Sequence, residues 1–375
     1  MIRRFNEKIS GMMGFLGRPA HLTGVDLGTN AVKIVQLTRG RQGPKLVYAG
    51  IFEFDDPPET RNPEKVSADL QAFLADKPIQ PLAVSMSISD RTVAIRHLTL
   101  PSMPAEELRE AVQWEARKLT SVPGEEMIVD YLTLSGKNGP DGRESGKKDL
   151  LVVVVNRKVV TDQVAIVQRA GLKVAAVDVN PLVLLHSLLL NYEEFRDENI
   201  VFVDLGASSM DIGIAKEGEL RFTRNIPAGL EQVTRAIEKG TGVRYPEAEG
   251  LKRRYGVELE KGDVRTSSGE KLDIPPSVLE SIRGILESFV LEVQRSIDFY
   301  HVQFRGERIR KIVFSGGGVL MPGLLPYISS YFDVEIVSDN PFAKIHYDPM
   351  LFGGLVEMAP RFSTAVGLAL RPAGV

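Results

Sequence analysis

Apolar residues along this chain gather in short runs separated by polar and glycine-rich breaks, and one such arrangement occurs twice. Residues 25–33 read VDLGTNAVK and residues 203–211 read VDLGASSMD, so in both places an apolar run ends in Val-Asp-Leu-Gly and a second run opens just after it. Two extended runs joined across a tight Asp-x-Gly break predict a β-hairpin at each site. The first extends into a three-strand meander over 24–54, with its second break at 39–44. A short helix over 64–75 and a buried strand over 82–88 (LAVSMSI) follow.

Residues 92–176 read as a compact α/β unit. A strand meets Pro101, and Ser102 is the expected cap of a helix with Glu106 and Glu107 in its first turn, where they favour the macrodipole. Leu108, Ala111, Val112, Ala116 and Leu119 form its buried stripe, and Trp114 beside them is read as core packing, with an exposed recognition anchor as the alternative. A strand over 127–134, a polar loop over 136–149, the strand LLVVVV over 150–155 and a helix to about Ala170 complete the unit. The loop sequence GPDGRESGKK imitates a phosphate-binding P-loop but fails, because Asp141 replaces the first glycine and Lys148 replaces the metal-binding hydroxyl.

A helix over 177–190 leads to the second hairpin, whose strands continue through 214–222. Helices are predicted over 228–239, 247–255 and 276–300, with a polar loop over 261–273. The strand IVFSGGGV then runs into Pro322, which is expected to open a helix.

Composition narrows the function classes. At 375 residues, 43% apolar and 25% charged, the chain can bury two domain cores. The net charge of −3 and pI near 6.1 give no electrostatic case for nucleic acid. With no cysteine and five scattered histidines, no transition metal is assigned, and a reducing compartment fits. No run has the length of a transmembrane segment, and no secretory signal is read at the start. Residues 1–20 place Ile2, Phe5, Ile9, Met12, Met13 and Leu16 at helical spacing, but Gly11, Gly14 and Gly17 weaken the pattern, so both a tail and an amphipathic helix remain open.

The duplicated hairpin carries the candidate chemistry. Gly28 and Gly206 can take positive φ and lack a Cβ, so turn N–H groups can close on an anion. Asp26 and Asp204 would then flank a hydrated Mg²⁺ bridging phosphates. Lys33, seven residues beyond Asp26, could reach back as a point charge. One Asp-x-Gly turn would be ordinary turn chemistry, whereas two in the same setting suggest a clamp. Gly316, Gly317 and Gly318 would let backbone approach a flat ligand such as a purine nucleoside.

Two such hairpins, a helix before the second and a late SGGGVLMPG turn follow one another as in the actin-like ATPase superfamily, which the chain resembles over nearly its whole length. The resemblance implies an α/β fold of two related domains around a nucleotide cleft, with ATP and Mg²⁺ as ligands. It implies a first phosphate loop at Asp26, Gly28, Thr29, Asn30 and Lys33, and a second at Asp204, Gly206, Ala207 and Ser208. It places adenosine contacts at Gly316, Gly317 and Gly318, and inter-domain helices at 180–190 and 364–370. Through WEARKLTSVPGEEMIVDY, VDVNPLVL, DNPF and GLALRP the chain is similar to the PilM family of type IV pilus assembly proteins, which has an FtsA-like small insert. The implied domains are 21–91 with 177–200 and 341–375, the insert 92–176, and 201–340.

The implied function is a cytoplasmic ATP-binding adaptor in the inner-membrane pilus assembly complex, peripheral to the membrane and binding the N-terminal peptide of PilN. Self-association stays open. Asn180 stands where hydrolytic members of the superfamily carry Glu or Gln, so turnover is expected to be slow at most. A small-molecule kinase and a filament-forming protein are the alternatives.

Overall fold

The computed structural model describes residues 21–40, 43–77, 79, 83–120, 122–134, 146–261, 263–304 and 308–371. The amphipathic pattern of 1–20 and most of the GPDGRESGKK loop lie outside the described residues. Lys147 and Lys148, assigned to that loop, belong to a strand instead.

Two sheets share one topology. Strands β1 (His21–Leu27), β2 (Ala31–Gly40), β3 (Gly43–Glu53), β4 (Ala83–Ile88) and β8 (Lys173–Val179) lie in the order β3-β2-β1-β4-β8. Strands β9 (Asn199–Leu205), β10 (Met210–Lys216), β11 (Glu219–Ile226), β12 (Lys311–Ser315) and β13 (Glu335–Ser338) repeat it as β11-β10-β9-β12-β13. In each sheet an antiparallel meander is extended by two parallel strands. The predicted meander and doubled hairpin are therefore present as two halves of like topology.

Between β4 and β8 the chain forms a third sheet, β5 (Ala94–Pro101), β6 (Met127–Thr133) and β7 (Lys147–Asn156), in the order β5-β7-β6, with helices α2 (Ala105–Leu119) and α3 (Arg157–Arg169). Alternation along β7 serves two cores. Leu150, Val152 and Val154 pack with Leu108, Val112 and Ala116 of α2. Leu151, Val153 and Val155 join Val84 and Met86 of β4 and Val160, Val164 and Val167 of α3 in the core of the first half. The insert therefore shares a core with the first half. Helix α1 (Pro63–Ala75) packs against α3.

Helix α4 (Asn180–Asn191) and the late helix α9 (Ser363–Leu370) pack against each other, and α9 also lies on β1. Glycine makes both approaches close. A Cβ on Gly367 would sit 2.1 Å from the Val183 carbonyl oxygen, and one on Gly24 would sit 2.1 Å from that of Ala365. The remaining helices of the second half are α5 (Glu231–Thr241), α6 (Tyr245–Tyr255), α7 (Pro276–Phe304) and α8 (Leu324–Ser329).

Several element expectations need correction. Residues 177–179 complete β8, and the helix begins at Asn180, where Pro181 fits the first turn because no amide hydrogen is needed there. Pro104 stands at the N-cap of α2 in place of Ser102, whose N–H instead bonds the Gly146 carbonyl at 2.8 Å. Trp114 is 59% exposed, with the Lys118 ammonium 3.3 Å from its ring centre, so a cation–π contact replaces the expected core packing. Helix α5 starts three residues late because Leu230 and Glu231 donate N–H groups to the Gly206 and Ala207 carbonyls. Helix α8 starts at Leu324 and is preceded by Gly323 at φ +77°, so Pro322 does not open it.

Two glycine-to-alanine substitutions test the packing with opposite signs. Gly367→Ala should destabilise by about 1–3 kcal/mol through overpacking against α4. Gly284→Ala, on an exposed turn of α7 with open space around it, should stabilise by about 1 kcal/mol. Urea unfolding midpoints of the two variants check both signs.

Candidate functional site

The two hairpin turns are built alike. Gly28 donates its N–H to the Ala31 carbonyl at 3.1 Å, and Gly206 donates to that of Ser209 at 2.9 Å. Neither glycine has a left-handed φ, which corrects the expectation from sequence. Both positions are tight for a Cβ. A Cβ on Gly28 would lie 2.7 Å from the Lys33 ammonium, and one on Gly206 would lie 3.0 Å from the Ser209 carbonyl oxygen. Because each glycine N–H closes its own turn, the N–H groups of Thr29, Asn30, Ala207 and Ser208, which line the cleft, are the remaining candidates to meet a ligand.

The register of each hairpin sets the charges. Asp26 lies opposite Lys33, and the equivalent rung of the second hairpin sets Asp204 opposite Asp211. Lys33 pairs with Asp26, its Nζ 3.0 Å from Oδ2. In the second hairpin, burial and the charges of Asp211 and Asp26 push the Asp204 carboxyl up to about 7, against the pull of Lys33 and a Ser315 hydroxyl 3.2 Å away. Burial also raises Asp211, opposed by donors from Asn225 at 2.7 Å, Ser89 at 2.8 Å and the Asn180 side chain. Three carboxyl groups and one lysine thus meet in one place.

The glycine run forms a third wall. Gly316 has φ +88°, and its N–H bonds the Pro360 carbonyl at 2.8 Å. A Cβ there would meet Asp204 Oδ1 at 2.6 Å, and one on Gly318 would meet Leu205 at 2.7 Å, so both are packed against the end of β9. Gly317 is open towards Arg361. On the far side, α6 contributes Glu249, Lys252 and Arg253. Lys252 donates to Glu249 at 2.6 Å and to Thr234 at 2.9 Å, and burial lowers its pKa. Arg253 bridges Glu249 at 3.0 Å and Glu53 of β3 at 2.8 Å.

These walls enclose a cleft of about 330 Å³. Asp26, Gly28, Thr29, Asn30, Lys33, Asn180, Asp204, Gly206, Ala207, Ser208, Gly316, Gly317 and Gly318 all line it. Sequence reasoning missed Asp211, Ser89, Glu249, Lys252 and Arg253, which line it too. The signals existed. Asp211 has the spacing from Asp204 that Lys33 has from Asp26, and Glu249, Lys252 and Arg253 stand at i, i+3 and i+4 on one helix face.

The donor set suits a hard divalent cation. A carboxyl raised by burial and by its carboxylate neighbours marks a place short of positive charge, and Asp26 and Asp204 offer the oxygen ligands that Mg²⁺ takes alongside water and phosphate. Among the described residues no group of three or more His, Asp or Glu is arranged to cage a metal alone.

Comparison with known proteins places this geometry. The family profile described as "Type IV pilus assembly protein PilM" matches residues 24–373. The chain belongs to the PilM family. The structure described as "PilM-PilN type IV pilus biogenesis complex" superposes with a TM-score of 0.80 at 24% identity, covering 95% of this chain and 99% of that one. The ethanolamine utilization protein EutJ of Carboxydothermus hydrogenoformans superposes at 0.54 with 13% identity, covering 97% and 98%. The cell division protein FtsA of Neisseria meningitidis serogroup B is 26% identical over 278 residues, covering 68% of this chain. The chain spans 64% of that relative's length. The fold is thus the actin-like ATPase fold, carried here by a PilM-family chain. No helix among the described residues is long and apolar enough to cross a membrane.

The carboxyl cluster predicts a pH dependence. Asp204 titrates near 7 in the folded chain against 3.8 as its ordinary value. Its contribution to stability is therefore greatest below that ordinary value and is lost as pH rises through about 7. In ligand-free protein, Asp204→Asn should raise the melting temperature more at about pH 8 than at about pH 5, with the smallest change below about pH 4. Equal changes at both values would contradict the reading.

Proposed function

We propose that this PilM-family chain is an adaptor that binds ATP with Mg²⁺ between its two halves and binds the N-terminal peptide of PilN beside its insert. The observation that carries the nucleotide reading is the pair of equivalent turns facing one cleft, with the Gly316–Gly318 turn as its third wall. Turn N–H groups on both sides and Lys33 suit phosphates, Asp26 and Asp204 would hold the Mg²⁺, and the cation would offset the carboxyl charge. Glu249, Lys252 and Arg253 offer donors and acceptors of the kind that ribose hydroxyls and a base edge require. When bound, Mg²⁺ would neutralise phosphate charge and orient the phosphate chain.

Hydrolysis is the weaker part of the cycle. Asn180 cannot accept a proton, and its side chain is already engaged with Asp211. Slow turnover suits an adaptor whose bound nucleotide sets a shape.

PilN binding is supported by family membership and by the structural likeness to a chain solved in a PilM–PilN complex. The insert exposes two large apolar side chains, Trp114 at 59% and Leu132 at 52%, and β6 is an edge strand of its sheet. A short peptide gains affinity from such edges and aromatic anchors.

The nucleotide reading is tested by thermal unfolding. ATP with Mg²⁺ at roughly 100 times its dissociation constant adds about 2.7 kcal/mol, a rise of several degrees. Asp26→Ala and Gly206→Val should each abolish the rise, and an unchanged rise in both would refute binding through both hairpins. For the partner, a synthetic PilN N-terminal peptide should bind the full chain by calorimetry. Trp114→Ala should weaken that binding about tenfold or more, in the range of an aromatic hot spot. Undiminished binding would place the peptide elsewhere. Point variants serve better than deletion of 92–170, because Val160, Val164 and Val167 lie in the core of the first half.

A further inference from the structure

The strap joining β3 to α1 contains an arginine with no role so far. Arg61 follows a short turn at Pro58–Thr60 and directly precedes Asn62, the N-cap of α1. Its side chain turns back to the tip of the first hairpin, where Nη1 donates to the Thr29 carbonyl and Nη2 reaches Asn30 Oδ1 at 3.5 Å. The guanidinium is itself held. Its Nε donates to the Asp56 carbonyl at 2.7 Å, and its plane lies over the Phe54 ring at 4.6 Å. Phe54 in turn donates its N–H to the Asn30 carbonyl at 3.1 Å.

What Arg61 grips is the part of the first half that meets the second. Thr29 Oγ1 lies 2.6 Å from Ser208 Oγ on the opposite hairpin. Asn30 Nδ2 donates to Glu231 Oε2 and to the Tyr245 hydroxyl, both at 3.2 Å. With Arg61 on Asn30 Oδ1, the amide has its donor end pointed across the cleft. The turn's own bond, Gly28 to Ala31, fixes neither Thr29 nor Asn30, whose N–H groups are the candidates to meet a ligand. A planar fork that reaches two acceptors on adjacent residues can fix both, which a lysine point charge cannot.

We infer that Arg61 is a positioning residue of the nucleotide site: it holds Thr29 and Asn30 so that the first turn is ordered before phosphate arrives. The inference rests on the nucleotide reading above. Ordering the turn in advance removes a cost otherwise drawn from binding.

The test uses the full chain and its Arg61→Ala and Arg61→Lys variants, with two readouts. In ligand-free protein, amide exchange at 29–31 should be faster in both variants and unchanged at 207–209. In stopped-flow measurements with a fluorescent ATP analogue and Mg²⁺, Arg61→Ala should bind about tenfold more weakly or worse, the scale of lost charge-assisted hydrogen bonds. Guanidinium ion at sub-denaturing concentration should partly restore affinity to the alanine variant and not improve wild type. Wild-type exchange at 29–31 in both variants, or wild-type affinity in Arg61→Ala, would overturn the inference. Wild-type protein that binds no nucleotide would remove the function proposed above, while the exchange readout still decides whether Arg61 orders the turn.

Discussion

Asp204 and Asp211 occupy the same rung of a β-ladder, and much of the cleft can be understood as the means of holding them there. Like charges directly across a ladder are unfavourable, and here Asp211 is buried and Asp204 half-buried at the cleft wall. The corresponding rung of the first half carries Asp26 and Lys33, a compensated pair. One half of a duplicated design is thus electrostatically satisfied and the other is not. The uncompensated half is surrounded by neutral donors, Ser89, Asn225 and Asn180 on Asp211 and Ser315 on Asp204, drawn from four separate segments. Neutral donors orient a carboxyl without cancelling its charge. The site keeps its demand for a cation, which the Mg²⁺ of the proposed nucleotide complex would meet.

The backbone around that rung is tight for the same purpose. Gly316 lets the end of β12 turn within contact of Asp204, while Gly24 and Gly367 let α9 press on β1 and on α4. These approaches bring the ends of β1, β4, β9 and β12 to one place, the general position for ligand sites at the carboxyl ends of parallel strands.

Much of this was legible in the chain. The repeated Val-Asp-Leu-Gly, the Asp–Lys spacing and the three consecutive glycines located the cleft, because turn chemistry and strand periodicity are local properties. Of the two reasons for glycine at 28 and 206, positive φ fails and the missing Cβ stands, through clearance from Lys33, Ala31 and Ser209, neighbours that periodicity does not describe. Asp211 lay inside the quoted motif and was passed over, since its character comes from Ser89, Asn180 and Asn225, distant in the chain. For Trp114, beside an apolar stripe, the pattern favours the core over an exposed anchor, whereas the structure leaves that position to solvent and Lys118. Arg61 had no sequence signal, as its partners are backbone carbonyls and an amide set in place by tertiary contacts.

The central claim is that one ligand engages both hairpins at once, and hydrogen exchange on the intact chain with and without Mg²⁺ and ATP tests it most directly. The account predicts added protection at 28–31, 206–209 and 316–318 together, dependent on Mg²⁺. Protection confined to one hairpin, or absent from both at saturating nucleotide, would contradict it.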